Sequence, residues 1–422
     1  MSSRSLCLLP LVAALAFGQD PAATARKAVD LLLAEKYSEM GPMMTADLQK
    51  ELPPANLAKL GAQIKSFGAV EKVGDAQTTK SGPNTIVVVP VKLAQRNLNL
   101  RFIVNNAGLL SLFVLQPGAI EWVRPAYSQP DTFTERQVTV GEGEWKLPGT
   151  LTVPKGAGPF PAVVLVHGTG PNDRDETVGG AKVFKDLAEG LGSRGIVVLR
   201  YEKRSKQYGS RMAVSKNFTI ADETVDDAVK AAGLLRTQKE VDPNKVYVLG
   251  HDLGGYAAPR IADEDGQLAG LIILGGNVRP LEDLVIDQLQ AVGAQQSAMD
   301  QAKAVQARVK KLEHGDEDSP ALMGEPPTFW LDLKGYNPAE KAKGFGKPIL
   351  ILQGERDYQV PMKDFEMWKV ALSGAKGLTV KSYPALNHLF IAGEGKSLPA
   401  EYGKPGHVAA EVIEDIAAFV KK

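Results

Sequence analysis

Leu249-Gly250-His251-Asp252-Leu253-Gly254-Gly255 is the stretch that decides the fold. Lys245 to Leu249 before it is a short apolar run of β type. Tyr256 to Ala262 after it can begin a helix. A strand that feeds a helix through so tight a turn holds the turn residue strained and exposed, as in a G-x-S-x-G nucleophile elbow. Gly250 and Gly254 fit because a side chain at either position would collide with the turn. One residue departs from the motif. Asp252 stands where a serine is expected.

Outward from the elbow, strand and helix candidates alternate. Strands are predicted over 135–140, 149–153, 162–167, 196–201, 245–250, 270–274, 348–353 and 379–383. Helices are predicted over 182–194, 220–237, 253–263, 363–373 and 408–420. That alternation implies a mostly parallel sheet covered on both faces. Residues 134–422 are therefore expected to form an α/β domain. Within it, 275–346 carries no clear strand and is long for a plain loop. Leu281 to Leu312 reads as helical there, prolines break up the remainder, and Phe329, Trp330 and Tyr336 supply aromatic surface. The segment is expected to be a lid whose three aromatics contact substrate. The alternative is a packing excursion without gating.

A nucleophile elbow implies partners in the chain order nucleophile, acid, histidine. Asp357 follows one strand end in Gly354-Glu355-Arg356-Asp357, and His388 follows the next in Pro384-Ala385-Leu386-Asn387-His388. His388 is then the base, and Asp357 orients its ring and stabilises its protonated form. Glu355 is a weaker candidate for the acid. The other histidines read as structural: His167 shaping a loop, His251 buried, His314 in a charged stretch and His407 at the last helix. Two backbone N–H groups should form the oxyanion hole: Leu253, directly after Asp252, and Thr169 in the glycine-flanked loop after the third strand.

The chain has 422 residues, a length that suggests two domains. Residues 20–118 hold two helix candidates and then four strand-like runs separated by turns, the pattern of a small α+β domain. Residues 119–133, with Pro125 and Pro130, read as a linker. Residues 1–18 resemble a secretory signal: Arg4, an apolar run from Leu6 to Phe17 too short to span a bilayer, and small residues at 16 and 18. Export to a periplasm or medium is expected, with no integral membrane segment in the mature chain. The one cysteine, Cys7, lies in this signal, so neither a disulfide nor a thiol nucleophile is expected. Basic and acidic residues number 49 each, which argues against a nucleic-acid partner. Neither a metal-binding motif nor a phosphate loop is present, so no cofactor or metal is expected and the partner is a small-molecule substrate. Oligomeric state is left open.

Three runs together carry a family resemblance. They are His167-Gly168-Thr169-Gly170-Pro171-Asn172-Asp173-Arg174-Asp175-Glu176-Thr177, Val198-Leu199-Arg200-Tyr201-Glu202-Lys203-Arg204 and Gly255-Tyr256-Ala257-Ala258-Pro259-Arg260. They resemble a bacterial α/β-hydrolase group related to secreted carboxylesterases and dienelactone hydrolases. The likeness covers about residues 134–422 and implies the α/β-hydrolase fold with hydrolysis of small, neutral, ester-type substrates. The first domain resembles, by its arrangement, the cone-shaped domains that precede some of these hydrolases. The group carries serine where this chain has Asp252.

That difference bears on the chemistry. A carboxylate attacking an ester carbonyl gives an anhydride, and the carboxylate is the better leaving group, so the step reverses. Attack at a saturated carbon gives a stable alkyl ester, which water activated by His388 can hydrolyse. Epoxide hydrolases and haloalkane dehalogenases of this fold work in that way, and the former resemble His251-Asp252. Their other marks are missing: Leu253 replaces the dehalogenase tryptophan, Thr169 replaces an aromatic, and the lid offers one tyrosine, Tyr336. Three readings stay open: an esterase-like hydrolase, with Asp252 acting as a weak catalyst or as a base for water; an alkyl-enzyme hydrolase; and a binding protein that has lost its serine.

Overall fold

The structure, a computed structural model, describes residues 20–94, 96–118, 121–215 and 217–422. The expected signal, residues 1–18, lies outside the described residues. The chain divides into two compact units, Met1–Glu121 and Trp122–Lys422.

In the first unit, helices Pro21–Leu33 and Pro54–Lys65 accompany an antiparallel sheet. Its strands are β1 (Val70–Val73), β2 (Gln77–Ser81), β3 (Asn84–Leu93), β4 (Asn97–Val104) and β5 (Leu110–Pro117). In β3 and β4 the side chains alternate between fully and partly buried, so one face makes the core with Ala28, Leu32 and Leu57. The exposed strand β2 is not legible in the sequence. Gln-Thr-Thr-Lys-Ser has no apolar residue to mark it, and it exists by pairing with β3.

In the second unit the strands are β6 (Phe133–Val140), β7 (Leu147–Pro154), β8 (Phe160–Val166), a two-residue pair β9 (Thr177–Val178) and β10 (Ala181–Lys182), β11 (Val197–Tyr201), β12 (Val241–His251), β13 (Gly270–Leu274), β14 (Ile349–Gly354) and β15 (Leu378–Tyr383). Eight of them make one sheet in the order β15-β14-β13-β12-β8-β11-β7-β6. The run from β15 to β11 is parallel, and β7 joins β11 antiparallel. Each predicted strand of this domain is present, within a few residues.

Successive residues of β8 show why the sheet is covered on both sides. Val163 and Leu165 belong to one apolar cluster, with helices Val183–Gly192 and Ala410–Val420. Ala162, Val164 and Val166 belong to the other, with helices Asp226–Arg236, Leu253–Glu264 and Met362–Ala371. Strand side chains alternate in direction, and here both directions meet a helix layer. Burying one such Val or Leu contributes about 1.5–3 kcal/mol.

Two expectations need correction. The single helix read over 281–312 is two, Leu281–Ala291 and Gln296–Lys311, parted by Gly293 at φ 69°. The segment read as a linker over 119–133 belongs, from Trp122 on, to the second unit, and Phe133 already begins β6. Trp122 Nε1 donates to Asp186, Arg124 pairs with Glu189, and Ser128 Oγ donates to the same Glu189 carboxylate. Buried carboxylates on helix Val183–Gly192 need donors, and this segment supplies them.

Candidate active site

Four strand ends converge. Thr169 follows β8, Asp252 follows β12, Asp357 follows β14 and His388 follows β15. Parallel strands put all four turns at the carboxyl edge of the sheet, where sites of such folds lie. The elbow is strained: Asp252 has φ 51° and ψ −116°, a region that costs a non-glycine residue about 1–3 kcal/mol. The glycines around it make the turn possible. A Cβ at Gly250 would lie 2.1 Å from the Gly254 carbonyl oxygen, and one at Gly254 would lie 2.1 Å from that of Val166.

His388 and Asp357 form a dyad. Nδ1 of His388 is 2.7 Å from Asp357 Oδ2. The same oxygen accepts from Gln353 Nε2, and Asp357 Oδ1 accepts from the backbone N–H of Gln359 and Val360. With its carboxylate held at both oxygens, Asp357 fixes the imidazole ring and leaves Nε2 as the proton-accepting nitrogen. Glu355, the weaker candidate, accepts instead from Ser382 Oγ.

Asp252 is partly buried with one oxygen engaged. The Thr169 N–H donates to Asp252 Oδ2 at 2.8 Å. Leu253 begins helix Leu253–Glu264 beside it, and its N–H, as the first of the helix, has no helical acceptor. Burial pushes the Asp252 carboxyl up. The imidazoles of His388 and His251, with the Thr169 donors, outweigh that and hold it below the ordinary carboxylate value. Among the described residues no direct hydrogen bond joins Asp252 to His388.

Behind the elbow is a buried ion pair that sequence reasoning did not find. Glu176 Oε2 is 2.9 Å from His251 Nδ1, and Glu176 Oε1 accepts from the Gly168 N–H at 2.8 Å. His251 Nε2 is 2.9 Å from the His388 carbonyl oxygen. A carbonyl only accepts, so Nε2 carries a proton, and the carboxylate at Nδ1 favours a second. Burial lowers the His251 pKa, but Glu176 more than reverses this and raises it to about 9. One pair thus ties the Thr169 loop to the His388 loop. His167 behaves oppositely. Burial lowers its pKa to about 4, and its Nε2 meets the Asp173 carbonyl oxygen, which shapes the loop as expected. Glu176 sits in a run quoted for its family likeness, but its partner lies 75 residues away.

A cavity of about 370 Å³ opens over Asp252. Thr169, Gly170, Leu253 and Gln359 line its floor side. Leu281, Leu284, Val285, Gln288, Met323, Glu325, Phe329 and Trp330 come from the 275–346 segment, and Glu223 completes the wall. Phe329 and Trp330, expected to meet substrate, line this cavity. Tyr336 does not. Its hydroxyl donates to the Tyr256 carbonyl while the Tyr256 hydroxyl donates back to the Tyr336 carbonyl, so the ring is clasped to the elbow helix. A buried phenol needs a polar partner, and the Tyr256 backbone supplies it away from the cavity. Among the described residues, no group of three or more His, Cys, Asp or Glu could hold a metal ion. Nor is any helix there long and apolar enough to cross a membrane.

An elbow, a His–Asp dyad in the expected order and a backbone donor facing residue 252 define a hydrolase of the α/β class. Comparison with known proteins gives the same class. The Alpha/beta hydrolase family profile matches residues 163–394. Esterase EstD of Thermotoga maritima is 42% identical over 314 residues, covering 74% of this chain and 73% of that protein. The chain belongs to the α/β hydrolase family and is esterase-like. Among solved structures, Est1E from Butyrivibrio proteoclasticus is similar at 16% identity, with 68% of this chain and 99% of that one covered and a TM-score of 0.43. The Pyrococcus furiosus esterase PF2001 is similar at 14% identity, 72% and 96% coverage and a TM-score of 0.45.

Proposed function

We propose that this α/β hydrolase uses Asp252 as a carboxylate nucleophile toward small substrates bearing an electrophilic saturated carbon, epoxides or haloalkanes. The hydrogen bond from Thr169 N–H to Asp252 Oδ2 carries the reading. In a serine enzyme that donor waits for the oxygen of the substrate's carbonyl. Here the carboxylate's own oxygen has it. Oδ1 is then the attacking atom, and Oδ2 is already placed where the carbonyl oxygen of an alkyl ester would be. His388, oriented by Asp357, removes a proton from water. The hydroxide adds to Asp252 Cγ, negative charge collects on Oδ2 against Thr169 and Leu253, and collapse releases the alcohol. The low Asp252 pKa supports this role over that of a base, because a general base works best with a pKa near the operating pH.

A second reading has its own support. The relative EstD is an esterase by name, and the dyad and the elbow are parts that an ester hydrolase needs. Under it, Asp252 activates water on small neutral esters, and the Thr169 N–H must first be freed for the substrate. Styrene oxide, a 1-haloalkane and a nitrophenyl ester, assayed with intact-protein mass spectrometry, separate the two. Diol or alcohol product with an alkyl adduct mapped to Asp252 supports the nucleophile. Ester turnover without an adduct overturns it in favour of the base. No turnover of any of the three points to a binding protein that has lost its serine. We propose export as well, on Arg4 and the apolar run after it. A mature N-terminus at Gln19 on protein recovered outside the cytoplasm is the expected result.

A further inference from the structure

We infer that Glu325 is the acid that protonates the leaving oxygen when an epoxide opens at this site. The inference rests on the nucleophile reading above and adds the substrate class, epoxide rather than halide.

Displacement of a halide releases a stable anion. Opening an epoxide leaves an alkoxide, which needs a proton as the carbon–oxygen bond breaks. The donor must stand on the wall of the cavity that holds Asp252. Most polar groups there are engaged. Trp330 Nε1 donates to the Leu322 carbonyl, Gln288 Nε2 to the Gln359 carbonyl, and Gln359 Nε2 to the Tyr402 hydroxyl. Glu223 has Lys203 Nζ at 3.5 Å as its counter-ion, and Lys203 also donates to the Gly168 carbonyl. Tyr336 is clasped to Tyr256. Glu325 remains: it lines the cavity, and burial and the charges of Glu223 and Lys203, with no hydrogen bond to its carboxyl among the described residues, set its surroundings.

Its backbone is fixed even so. Leu322 and Glu325 exchange both backbone hydrogen bonds, at 2.9 and 3.0 Å, across the turn residues Met323 (φ 52°) and Gly324 (φ 88°). Pro326 and Pro327 follow, so little of the chain around the carboxyl can swing. The electrostatics favour a held proton. Burial and then the Glu223 carboxylate raise the Glu325 pKa to about 7, with Lys203 opposing. Asp252 faces the same space, with the His388 imidazole beside it.

The step balances. A bond forms from Asp252 Oδ1 to the epoxide carbon, the carbon–oxygen bond breaks, and the oxygen takes the Glu325 proton. In the second step water gives one proton to His388 and adds its hydroxide to Cγ. The hydroxide's proton passes to the departing alkoxide, and the His388 proton restores Glu325 through solvent. The sum is epoxide plus water to diol.

The test uses the full chain with His388→Gln as an adduct trap, with and without Glu325→Gln, a nearly isosteric change. Single-turnover adduct formation is followed by mass spectrometry with styrene oxide and with a 1-haloalkane. Glu325→Gln is expected to slow the epoxide adduct at least tenfold more than the haloalkane adduct. The epoxide rate on the parent trap should fall as pH rises through about 7, and that fall should vanish in Glu325→Gln. Equal slowing of both adducts, or an epoxide rate that ignores the variant, overturns the acid role and leaves the nucleophile standing. A haloalkane adduct with no epoxide adduct on the parent trap overturns it also. No adduct from either compound overturns both readings.

Discussion

Asp252 Oδ2 and the Thr169 amide lie 2.8 Å apart, so the side chain at the nucleophile position occupies one of the two donors that should form the oxyanion hole. A serine hydroxyl has no second oxygen to reach it. Asp252→Ser therefore frees Thr169 and creates a serine–histidine–aspartate set. Ester turnover is expected to appear or to rise at least tenfold, with a transient acyl-enzyme seen by mass. Asp252→Asn keeps the shape without the charge and is expected to lower turnover of an epoxide or haloalkane by about 10⁴-fold or more.

His388 acts after the nucleophile in the proposed sequence. His388→Gln is expected to leave alkylation of Asp252 in place and to block hydrolysis. One adduct per chain then accumulates, measured by intact mass and mapped by peptide digestion. Steady turnover without accumulation would mean that the dyad does not serve the second step.

Two buried histidines set opposite limits on stability with pH. An unfolded histidine titrates near 6.5. His251 titrates at about 9 when folded, so its stabilisation is complete below about 6.5 and is lost as pH rises toward 9. His167 titrates at about 4 when folded, so the unfolded chain binds the extra proton between about 6.5 and 4 and stability falls with falling pH there. Glu176, held below its ordinary value, adds to the acid loss. Thermal unfolding across pH is expected to show its maximum near pH 6.5. The alkaline limb should flatten in the double variant Glu176→Gln, His251→Gln.

The tyrosine clasp and the tryptophan wall should separate by readout. Tyr336→Phe removes one hydrogen bond outside the cavity and is expected to cost about 1 kcal/mol of stability with KM unchanged. Trp330→Ala removes a ring from the cavity wall and is expected to raise KM severalfold. A large KM change in Tyr336→Phe would place that ring against substrate after all.

Much of this protein is legible residue by residue. The elbow follows from glycines at 250 and 254 between a β run and a helix, which are local sterics. The parallel sheet follows from strand and helix periods in alternation, and the dyad from the order of Asp357 and His388 at two strand ends. Strand β2 was silent because an exposed, polar strand owes its existence to its partner. The break at Gly293 was silent because the residues on either side of it both suit a helix.

Local pattern determined the fold class, the place of residue 252 at the elbow and its departure from serine, since each depends on neighbours in the chain. Only the tertiary structure decided which groups surround Asp252. The contact with Thr169 spans 83 residues, the Glu176–His251 pair 75, and the bond from His251 to the His388 carbonyl 137. Glu325 reached the cavity by the same kind of closure, and Tyr336 was turned away from it. Electrostatic and hydrogen-bond energies depend on separation in space, and the distance along the chain does not carry that information until the core has closed.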